Sequence, residues 1–350
     1  MTDAEIIREA AARLIAWYRE ERRDLPWRRE PTPYQVWISE IMLQQTRIEA
    51  VLGYYRRFLD ALPDLPALAA VEEDRLLKLW EGLGYYSRAR NLKKAAALVM
   101  ERCGGELPRR AEELKKLPGI GDYTAGAIAS IAYGEPEPAV DGNVLRVVTR
   151  LLACPDDVLH PATRRRVTEL LRAVYPRGEE AALLTEGIME LGETLCIPNG
   201  EADCARCPLN GICRAEQSGT VRDYPFRSPP RERRQETRTV LLLRCGGLYA
   251  IRRRPESGLL AGLWEFPNWE GEKSAAELAG LVGVPLRCSP CGSARHVFTH
   301  VEWRMQGCLA DCDTQPEGFV WGTPREIAER YSIPTAFRYF RKKLLELEET

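Results

Sequence analysis

The sequence predicts an all-α N-terminal domain followed by an α+β C-terminal domain, with a linker between them. Apolar residues recur at helical spacing along residues 1–217. From Thr239 onward the pattern changes to the alternation that is typical of half-buried strands. Residues 218–238 are rich in Pro and Arg and have no apolar period, which predicts a linker. The predicted strand regions are Val240 to Leu243, Leu248 to Arg252, His296 to Leu309 and Phe319 to Trp321.

Helices are predicted on both sides of this linker. Thr2 and Glu5 form the pattern of a capping box at the start of the first helix. Short helices separated by Pro and Gly are predicted between residues 47 and 116. The longer predicted helices are 4–20, 33–46, Val144 to Ala153, Thr163 to Tyr175, Ala181 to Leu191, Ser274 to Leu281, Pro324 to Arg330 and Pro334 to Leu347.

Composition limits the class of protein. A length of 350 residues predicts two or three domains. The formal net charge of −1 argues against a globally basic DNA-coating protein, so any nucleic-acid site must be a local patch. No signal peptide or membrane span is recognisable, so we expect a cytoplasmic protein. In such a protein the eleven cysteines indicate reduced thiols or metal ligands before disulfides.

The stretch from Leu117 to Asn143 carries the clearest local signal. Gly119 and Gly121 flank one isoleucine in a predicted tight turn before a helix of small residues. The free N–H groups of such a turn and helix start form a phosphate site without Lys or Arg. An ordinary turn between helices is the alternative for this glycine pattern alone. A short Pro-rich loop then leads to a single acid, Asp141.

Two further stretches contain polar or aromatic groups in unusual places. Glu40 lies inside an apolar helix, where a carboxylate is costly unless it is paired or used; a surface glutamate is the alternative. In residues 82–92, two tyrosines stand beside two arginines. Such aromatics can wedge between bases while the cations meet phosphates, and tyrosines packed in the core are the alternative.

Two groups of cysteines have spacings that suit metals. Cys196, Cys204, Cys207 and Cys213 are spaced C-x7-C-x2-C-x5-C, which predicts a site for zinc or for a four-iron cluster. A second group in the C-terminal domain follows C-x2-C-x16-C-x3-C and has the spacing of a zinc site, with buried or free thiols as the alternative. It consists of Cys288, Cys291, Cys308 and Cys312.

Together these segments resemble the MutY family of adenine DNA glycosylases, which belongs to the helix-hairpin-helix superfamily. The matching pieces are LPWR (25–28), PYQVWISEIMLQQT (33–46), GLGYYSRARNL (82–92), LPGIGDYTAGAI (117–128), VDGNVLRV (140–147) and the first cysteine loop. They follow the family's order over nearly the whole chain. The resemblance implies an all-α glycosylase domain over 1–217, with a six-helix module at about 29–130 and an iron–sulfur lobe from 1–28 plus 131–217.

The resemblance also implies roles for individual residues. Glu40 matches the family's general acid and Asp141 its catalytic carboxylate, with Tyr123 and Asn143 in support. The positions that face the adenine are Arg28 and Glu186, and the positions that contact DNA are Gln45, Thr46, Tyr85, Gly119 and Gly121.

The implied cofactor is a 4Fe-4S cluster on Cys196, Cys204, Cys207 and Cys213. The family usually has six residues in the first spacing where this chain has seven, a difference that concerns the shape of the loop. Lyase-type relatives carry a lysine in the hairpin that forms a Schiff base with the sugar. This chain has Tyr123 there, so base excision should leave an abasic site without efficient strand cleavage.

The second domain, residues 239–350, resembles a Nudix fold. Residues Gly258 to Pro267 match the version found in MutY proteins. The acidic metal-binding helix of Nudix hydrolases is missing, because Lys273 to Gly283 contains one acid, Glu277. Nucleotide hydrolysis is therefore not expected. The triplet Phe298, Thr299 and His300 matches the loop that recognises 8-oxoguanine in the family, with Thr in place of Ser; a cross-strand polar residue is the alternative for His300.

The expected activity is therefore excision of adenine opposite 8-oxoguanine or G in duplex DNA, after the base is flipped out. The acid must be protonated near neutral pH to make adenine a neutral leaving group, while Asp141 must stay ionised beneath the sugar. We expect a monomer, bacterial in type, that associates with DNA and with no membrane. The alternatives are a thymine or uracil mismatch glycosylase and a non-catalytic, structure-specific DNA-binding protein.

Overall fold

The structure is a computed structural model that describes residues 1–29, 31–229 and 232–347. Residues 230 and 231 of the predicted linker and residues 348–350 of the predicted second domain lie outside the described residues. The chain divides into two compact units. The first consists of Met1–Ala70 and Asn91–Pro229, and the second of Val71–Arg90 and the described chain that follows Pro229.

The N-terminal 217 residues are helical where they are regular, as predicted. Their α-helices are α1 (Asp3–Glu21), α2 (Pro33–Leu43), α3 (Ile48–Ala61), α4 (Leu65–Ala70), α5 (Glu73–Leu79), α6 (Ser87–Arg102), α7 (Ala111–Leu114), α8 (Asp122–Ala127), α9 (Gly142–Leu152), α10 (Pro161–Arg172), α11 (Glu179–Thr194) and α12 (Arg214–Gln217). A 3₁₀ turn at Pro26–Arg28 and a π-helical turn at Ile128–Ala132 complete them.

Helix ends follow local chemistry. The capping box of Thr2 and Glu5 is confirmed at the start of α1. A second box, from Thr32 and Gln35, begins α2 with Pro33 in its first turn. The prediction that this helix continues to residue 46 was wrong, because α2 ends at Leu43. The chain leaves the helix through Gln45, whose φ of 58° is left-handed.

The core of the first unit lies where α1, α9, α10 and α11 pack together. Its buried side chains include Ile7 and Leu14 of α1, Val147 of α9 and Leu184 of α11. Each such aliphatic side chain contributes about 1.5–3 kcal/mol on burial. The helices that carry Asn143 and Glu186 are thereby fixed by one apolar core, and Cys196, just beyond the end of α11, packs against it.

The small-residue helix α8 determines where the loop before α9 runs. A Cβ at Gly126 would lie 2.5 Å from the carbonyl oxygen of Pro138, so only glycine permits this approach of helix and loop. Ala125, Ala127 and Ala129 are completely buried around it. Close packing of α8 therefore places the loop that ends at Asp141.

The second unit contains a seven-stranded mixed sheet with helices against it, which confirms the predicted α+β class. Its strands are β1 (Arg234–Cys245), β2 (Leu248–Arg253), β3 (Trp264–Glu265), β4 (Asn268–Glu270), β5 (Arg287–Val297), β6 (Val301–Asp311) and β7 (Val320–Gly322). The helices are α13 (Ala275–Val282), α14 (Pro324–Arg330) and α15 (Arg338–Glu346). The strand order is β3-β2-β1-β6-β5, β4 pairs with β1 and β7 with β2, and β1 runs parallel to β6.

Two features of this sheet differ from the sequence prediction. The run from His296 to Leu309 is not one strand, because the chain turns between β5 and β6 at Phe298, Thr299 and His300. The turn is closed by Phe298, whose N–H donates to the carbonyl of Val301 over 2.8 Å. Strand β1 already begins at Arg234, inside the stretch predicted as a linker.

Val71–Arg90 packs against the C-terminal helices within the second unit. The ammonium of Lys78 donates to the carbonyl of Ala328 over 2.6 Å, and the guanidinium of Arg341 donates to Glu81 over 2.8 Å. These bonds fix the segment immediately before the glycine-flanked loop that carries Tyr85. Among the described residues, no helix is long and apolar enough to cross a membrane.

Candidate active site

Glu40 lies on α2 with 6% of its surface exposed. The phenol of Tyr123 donates to its Oε2 over 2.6 Å. Burial raises the pKa of Glu40 to about 7, against the lowering effect of the Tyr123 hydrogen bond. The negative charges of Asp141 and Glu186 add to this increase and the positive charge of Arg28 opposes it. The carboxyl is therefore able to carry a proton near neutral pH.

Tyr123 belongs to α8, immediately after the Gly119 to Gly121 turn. Its hydroxyl also approaches the sulfur of Met189 on α11 at 3.7 Å. Burial and the neighbouring Glu40 raise the pKa of Tyr123 well above its ordinary value. The phenol therefore stays protonated and donates a fixed hydrogen bond to Glu40, which orients the acid.

Asp141 is the N-cap residue of α9 and is half-buried. Its Oδ1 accepts the N–H of Val144 over 2.7 Å. Burial raises the pKa of Asp141, and hydrogen bonds from the N–H groups of Val144 and Asn143 oppose the increase. Such backbone donors stabilise the ionised form.

Asn143 is held by an arginine that also reaches the first cysteine loop. Arg146 donates through Nη2 to the Oδ1 of Asn143 at 2.8 Å and to the carbonyl of Gly192 at 2.7 Å. Its Nε donates to the carbonyl of Cys196 at 2.8 Å. One buried guanidinium thus joins α9, α11 and the start of the cysteine loop.

Arg28 and Glu186, the two positions that the resemblance assigns to the adenine, lie beside each other. The Nε of Arg28 lies 3.9 Å from Glu186, and its guanidinium stands over the ring of Tyr18 at 5.3 Å. The phenol of Tyr18 donates to Glu186 over 3.1 Å. Burial raises the pKa of Glu186, while Arg28 opposes the change.

Sequence reasoning missed two members of this cluster, Arg23 and Glu190. Glu190 accepts hydrogen bonds from Arg28 at 2.8 Å and from Arg23 Nη2 at 2.7 Å. Burial would raise the pKa of Glu190, but the hydrogen bonds from both arginines outweigh it and lower the pKa. The spacing of Glu190 four residues after Glu186 was the available signal, because it places both acids on one face of a helix.

The turn of the predicted phosphate site differs at its two glycines. Gly119 has a φ of +78°, which favours glycine, and a Cβ there would lie 2.7 Å from the Cβ of Asn91. Both the backbone conformation and the available space therefore require glycine at this position. Gly121 has an extended backbone with open space around it. It is the N-cap of α8 and makes no side-chain cap hydrogen bond, so the first N–H groups of α8 are available to an anion.

The two residues predicted to press into DNA both have left-handed backbones. Gln45 is exposed at φ 58°, and its neighbour Gln44 donates to Thr124 on α8 over 3.2 Å. The N–H of the next residue, Thr46, donates a hydrogen bond to the carbonyl of Leu43. Tyr85, in the second unit, is 50% exposed at φ 47°. A left-handed non-glycine backbone is uncommon and occurs preferentially at functional sites.

In the second unit, the loop of Phe298, Thr299 and His300 borders a cleft of about 640 Å³ together with Tyr85. The hydroxyls of Tyr85 and Thr299 are 3.2 Å apart. Phe298 is half-buried, with its ring 4.9 Å from that of Trp303, whereas Thr299 and His300 are exposed. The predicted reader loop and a predicted DNA wedge thus line one cleft.

The four cysteines of the first loop line a single cavity with apolar walls formed by Val147, Leu191 and Leu195. Arg150 donates to the sulfur of Cys196 over 3.2 Å. Among the described residues, no three His, Cys, Asp or Glu side chains converge on one metal ion. An iron–sulfur cube takes one thiolate on each iron, so four thiols around a cavity fit a cluster better than a single zinc ion.

The second cysteine group does not form one site. Cys308 lies beside Cys288, whereas Cys312 lies beside Cys245, a residue outside the predicted set. Within the described chain these thiols form no group that could hold a metal ion. The alternative of buried thiols fits them better.

Two protein-family models match the chain. The model for HhH-GPD superfamily base excision DNA repair proteins matches residues 38–175, and the NUDIX domain model matches residues 239–343. A solved thermostable thymine-DNA glycosylase aligns with a TM-score of 0.55 at 25% identity, over 61% of this chain and 98% of that chain. Endonuclease III trapped on DNA as a covalent intermediate aligns with a TM-score of 0.53 at 27% identity, over 63% of this chain and 99% of that chain.

Sequence relatives extend the match over both domains. The adenine DNA glycosylase of Homo sapiens is 34% identical over 89% of this chain and 70% of that protein. That of Arabidopsis thaliana is 38% identical over 82% of this chain and 55% of that protein. That of Buchnera aphidicola from Acyrthosiphon pisum is 30% identical over 82% of each. This chain, with its helix-hairpin-helix glycosylase fold and its Nudix-like domain, therefore belongs to the adenine DNA glycosylase family.

Proposed function

We propose that this protein is a monofunctional glycosylase that flips adenine out of A:8-oxoguanine or A:G mispairs and hydrolyses its N-glycosidic bond in base excision repair. The observation that carries the proposal is the buried pair of Glu40 and Tyr123, with a pKa of about 7 on the acid. A general acid works best when its pKa lies near the working pH.

The chemistry divides between two carboxyl groups. Glu40 gives its proton to N7 of the flipped adenine, so that the base leaves as a neutral molecule when the C1′–N9 bond breaks. Asp141 stays ionised and stabilises the positive charge that develops on the sugar. Water then attacks C1′ and leaves an abasic site, and the proton that the water gives up restores the acid form of Glu40. Tyr123 orients Glu40, and Asn143 supports Asp141 from the first turn of α9.

The flipped base is recognised by Arg28 and Glu186. Glu186 is suited to accept hydrogen bonds from the exocyclic amino group, and Arg28 to donate to ring nitrogens. Because Tyr123 is a phenol where lyase-type relatives carry a lysine, this position forms no Schiff base. Strand cleavage is therefore not part of the proposed reaction.

DNA is held by backbone and wedge contacts. The N–H groups around Gly119 and Gly121 bind one phosphate, which fixes the register of the strand. Gln45 and Tyr85 fill or hold the gap left by the flipped base, and Thr46 is a further DNA contact. The partner is duplex DNA, and we propose action as a monomer in a bacterial-type cytoplasm.

The base opposite the adenine is read in the second unit. Phe298 stacks near the opposite base, and the exposed hydroxyl of Thr299 and imidazole of His300 provide polar contacts to 8-oxoguanine. Glu265, a buried acid of this domain, is paired with Arg252 over 3.0 Å and with Arg254. A carboxylate that is paired with two arginines is not free to bind a metal ion, and nucleotide hydrolysis by a Nudix domain needs one. The pairing therefore supports a role in recognising the opposite base.

The cysteine loop is proposed to hold a 4Fe-4S cluster on Cys196, Cys204, Cys207 and Cys213. When bound, the cluster joins four points of the loop through iron–thiolate bonds and so orders it. Broad visible absorption of a brown preparation, with four irons per chain, supports this cofactor. A colourless protein containing zinc would contradict it.

One assay tests the activity. The protein is incubated with duplexes carrying A:8-oxoguanine, A:G, T:G and U:G, and each reaction is split, with alkali added to one half. We expect strand scission at adenine in the first two duplexes after alkali, and little scission without it. Scission at T or U would favour a mismatch glycosylase of the same superfamily, and binding without scission a non-catalytic DNA-binding protein.

A further inference from the structure

Glu190 is the most enclosed acid of the adenine pocket, and the proposed mechanism does not use it. One per cent of its side-chain surface is exposed. Its Oε2 accepts from Arg28 at 2.8 Å and from Arg23 at 2.7 Å. Its Oε1 accepts from the Nε of Arg23 and from the backbone N–H of Arg23 at 3.3 Å. Within the described part of the chain, the donors to this carboxylate are thus the two arginines.

Arg28 is fixed from one side by this arrangement. Its Nη2 is bound to Glu190, and its Nη1 donates to the carbonyl of Arg23 at 3.4 Å. The adjoining edge, which carries Nε, faces Glu186 at 3.9 Å. The guanidinium is planar and rigid, so anchoring one edge sets the direction of the other.

We propose that Glu190 is a positioning residue, which holds Arg28 against the flipped adenine through a buried ion pair that Arg23 completes. This inference rests on the proposed function and deepens it, because it assigns the geometry of base recognition to a residue that does not touch the base. Arg23 supplies the second positive charge, which keeps Glu190 ionised while Arg28 serves the pocket.

The charge of Glu190 has a second consequence at the catalytic acid. The groups that act on Glu40 are Tyr123 from α8, Asp141 before α9, Glu186 from α11 and Arg28 from the 3₁₀ turn. Arg28 alone is cationic, and its charge lowers the pKa of Glu40. Glu190 offsets that charge. Removing the offset should lower the pKa of Glu40 and shift the alkaline limb of the activity profile to lower pH.

The chain offers a matched control on the same helix. Glu193 also binds Arg23, at 2.7 Å, with 35% of its side chain exposed. Among the described residues its ion pair is with Arg23 and not with Arg28. Glu190→Gln and Glu193→Gln therefore remove the same charge from the same arginine, and differ in the link to Arg28.

The experiment measures single-turnover adenine release from an A:8-oxoguanine duplex between pH 5.5 and 9 with the full protein. For Glu190→Gln we expect the alkaline limb to move down by about one pH unit, so that the loss at pH 8 exceeds the loss at pH 6 by about fivefold. The charge of Glu193 acts on Asp141 and Tyr123, whereas the groups that set the pKa of Glu40 do not include it. For Glu193→Gln we therefore expect the alkaline limb to stay within about 0.3 pH unit of wild type.

Glu190→Asp keeps the charge and serves if the Gln variant fails to fold. It should lower the rate through the shorter reach but leave the alkaline limb within about 0.3 pH unit of wild type. An unshifted limb in Glu190→Gln, or equal shifts in Glu193→Gln or Glu190→Asp, would overturn the inference. Absence of adenine release by the wild-type protein at every pH would instead contradict the proposed function.

Discussion

The proposed adenine pocket of the first unit and the proposed reader cleft of the second, bordered by Tyr85 and the Phe298 to His300 turn, face opposite physical demands. In the pocket, Glu40 and Glu190 are almost wholly buried and Arg28 is 10% exposed, each with hydrogen-bonded partners. In the cleft, Tyr85 is half-exposed, and Thr299 and His300 are exposed. Protonating a poor leaving group needs a dry site, whereas reading a base that stays in the duplex needs groups that DNA can reach.

The contrast extends to how each region is held. The pocket draws residues from α2, α8, α9 and α11; the apolar core shared with α1 and α10 fixes α9 and α11, and α8 is placed by the close approach of Gly126 to the loop before α9. The cleft is bordered by a turn between two strands and by a loop with three left-handed residues, Gly82, Gly84 and Tyr85. Changes in the pocket should therefore alter the rate of chemistry, and changes in the cleft the choice of substrate.

The largest expected effect is the loss of either catalytic carboxyl. Glu40→Gln keeps an acceptor for Tyr123 but has no proton to give, and Asp141→Asn keeps the N-cap but has no charge. Each should lower single-turnover adenine release by about a thousandfold or more, with duplex affinity within about threefold of wild type. Glu49→Gln, an exposed change on α3, is the control.

Retention of near wild-type rates by either variant would remove that carboxyl from the mechanism. Loss of duplex binding in the same variants would show that the pocket holds DNA as well as performing chemistry, and would weaken the contrast with the cleft.

The second prediction concerns how much the buried Glu40 carboxylate lowers the free energy of unfolding. The folded-state pKa of Glu40, about 7, is higher than its ordinary value of 4.5. Between these values the folded form holds the proton more tightly than the unfolded chain, so stability is lost as pH rises from 4.5 through 7. Above pH 7 the full cost applies, about 3 kcal/mol.

Glu40→Gln should therefore raise the free energy of unfolding of the protein by up to about 3 kcal/mol at pH 8 and by less than about 1 kcal/mol at pH 5. Chemical denaturation at both pH values measures the difference. Thr299→Ala, in the cleft, should change stability little at either pH, because its side chain is exposed. A gain for Glu40→Gln that does not depend on pH would contradict the burial argument.

The third prediction is the pH dependence of excision itself. Because Glu40 must be protonated, the rate should fall about tenfold per pH unit above 7. Burial also raises the pKa of Asp141 above its ordinary value of 3.8, so the rate should fall again on the acid side, where that carboxyl is protonated. Single-turnover rates on A:G and A:8-oxoguanine should share both limbs, since the pocket is common to the two substrates.

A flat profile from pH 6 to 9 would exclude Glu40 as the acid. Limbs that differ between the two substrates would mean that the opposite base alters the pKa values in the pocket. The assignment of chemistry to the pocket and of base recognition to the cleft would then be wrong.

A site residue can be predicted from the sequence when its signal lies within a few neighbouring residues. Glu40 within an apolar helix and Asp141 after a short loop are visible in a few residues; in the structure Glu40 is buried on α2 and Asp141 caps α9. Glu190 and Arg23 were missed because their pairing joins residues far apart in the chain. In the sequence, an arginine before LPWR and a glutamate in a helix each resemble ordinary surface residues until the fold brings them together.

The secondary structure shows the same limit. The helices of the first unit were predicted within a few residues, because their apolar period is strong. The turn at Phe298 to His300 was placed inside a strand, because Phe and Thr favour strands and the triplet contains neither Gly nor Pro. In the structure the change of direction comes from tertiary pairing of β5 with β6, and the parallel pairing of β6 with β1 leaves no signal in a short stretch.

The smallest expected effect belongs to the cleft. Phe298→Ala and His300→Ala should lower the ratio of single-turnover rates on A:8-oxoguanine and A:G by about five- to tenfold each, because each removes contacts to the opposite base but leaves Glu40 and Asp141 in place. Leu281→Ala, an exposed change on α13, is the control and should leave the ratio unchanged. Equal losses on both duplexes would assign the loop to general DNA binding, since reading the lesion requires that the two substrates respond differently. An unchanged ratio would place recognition of 8-oxoguanine outside this cleft.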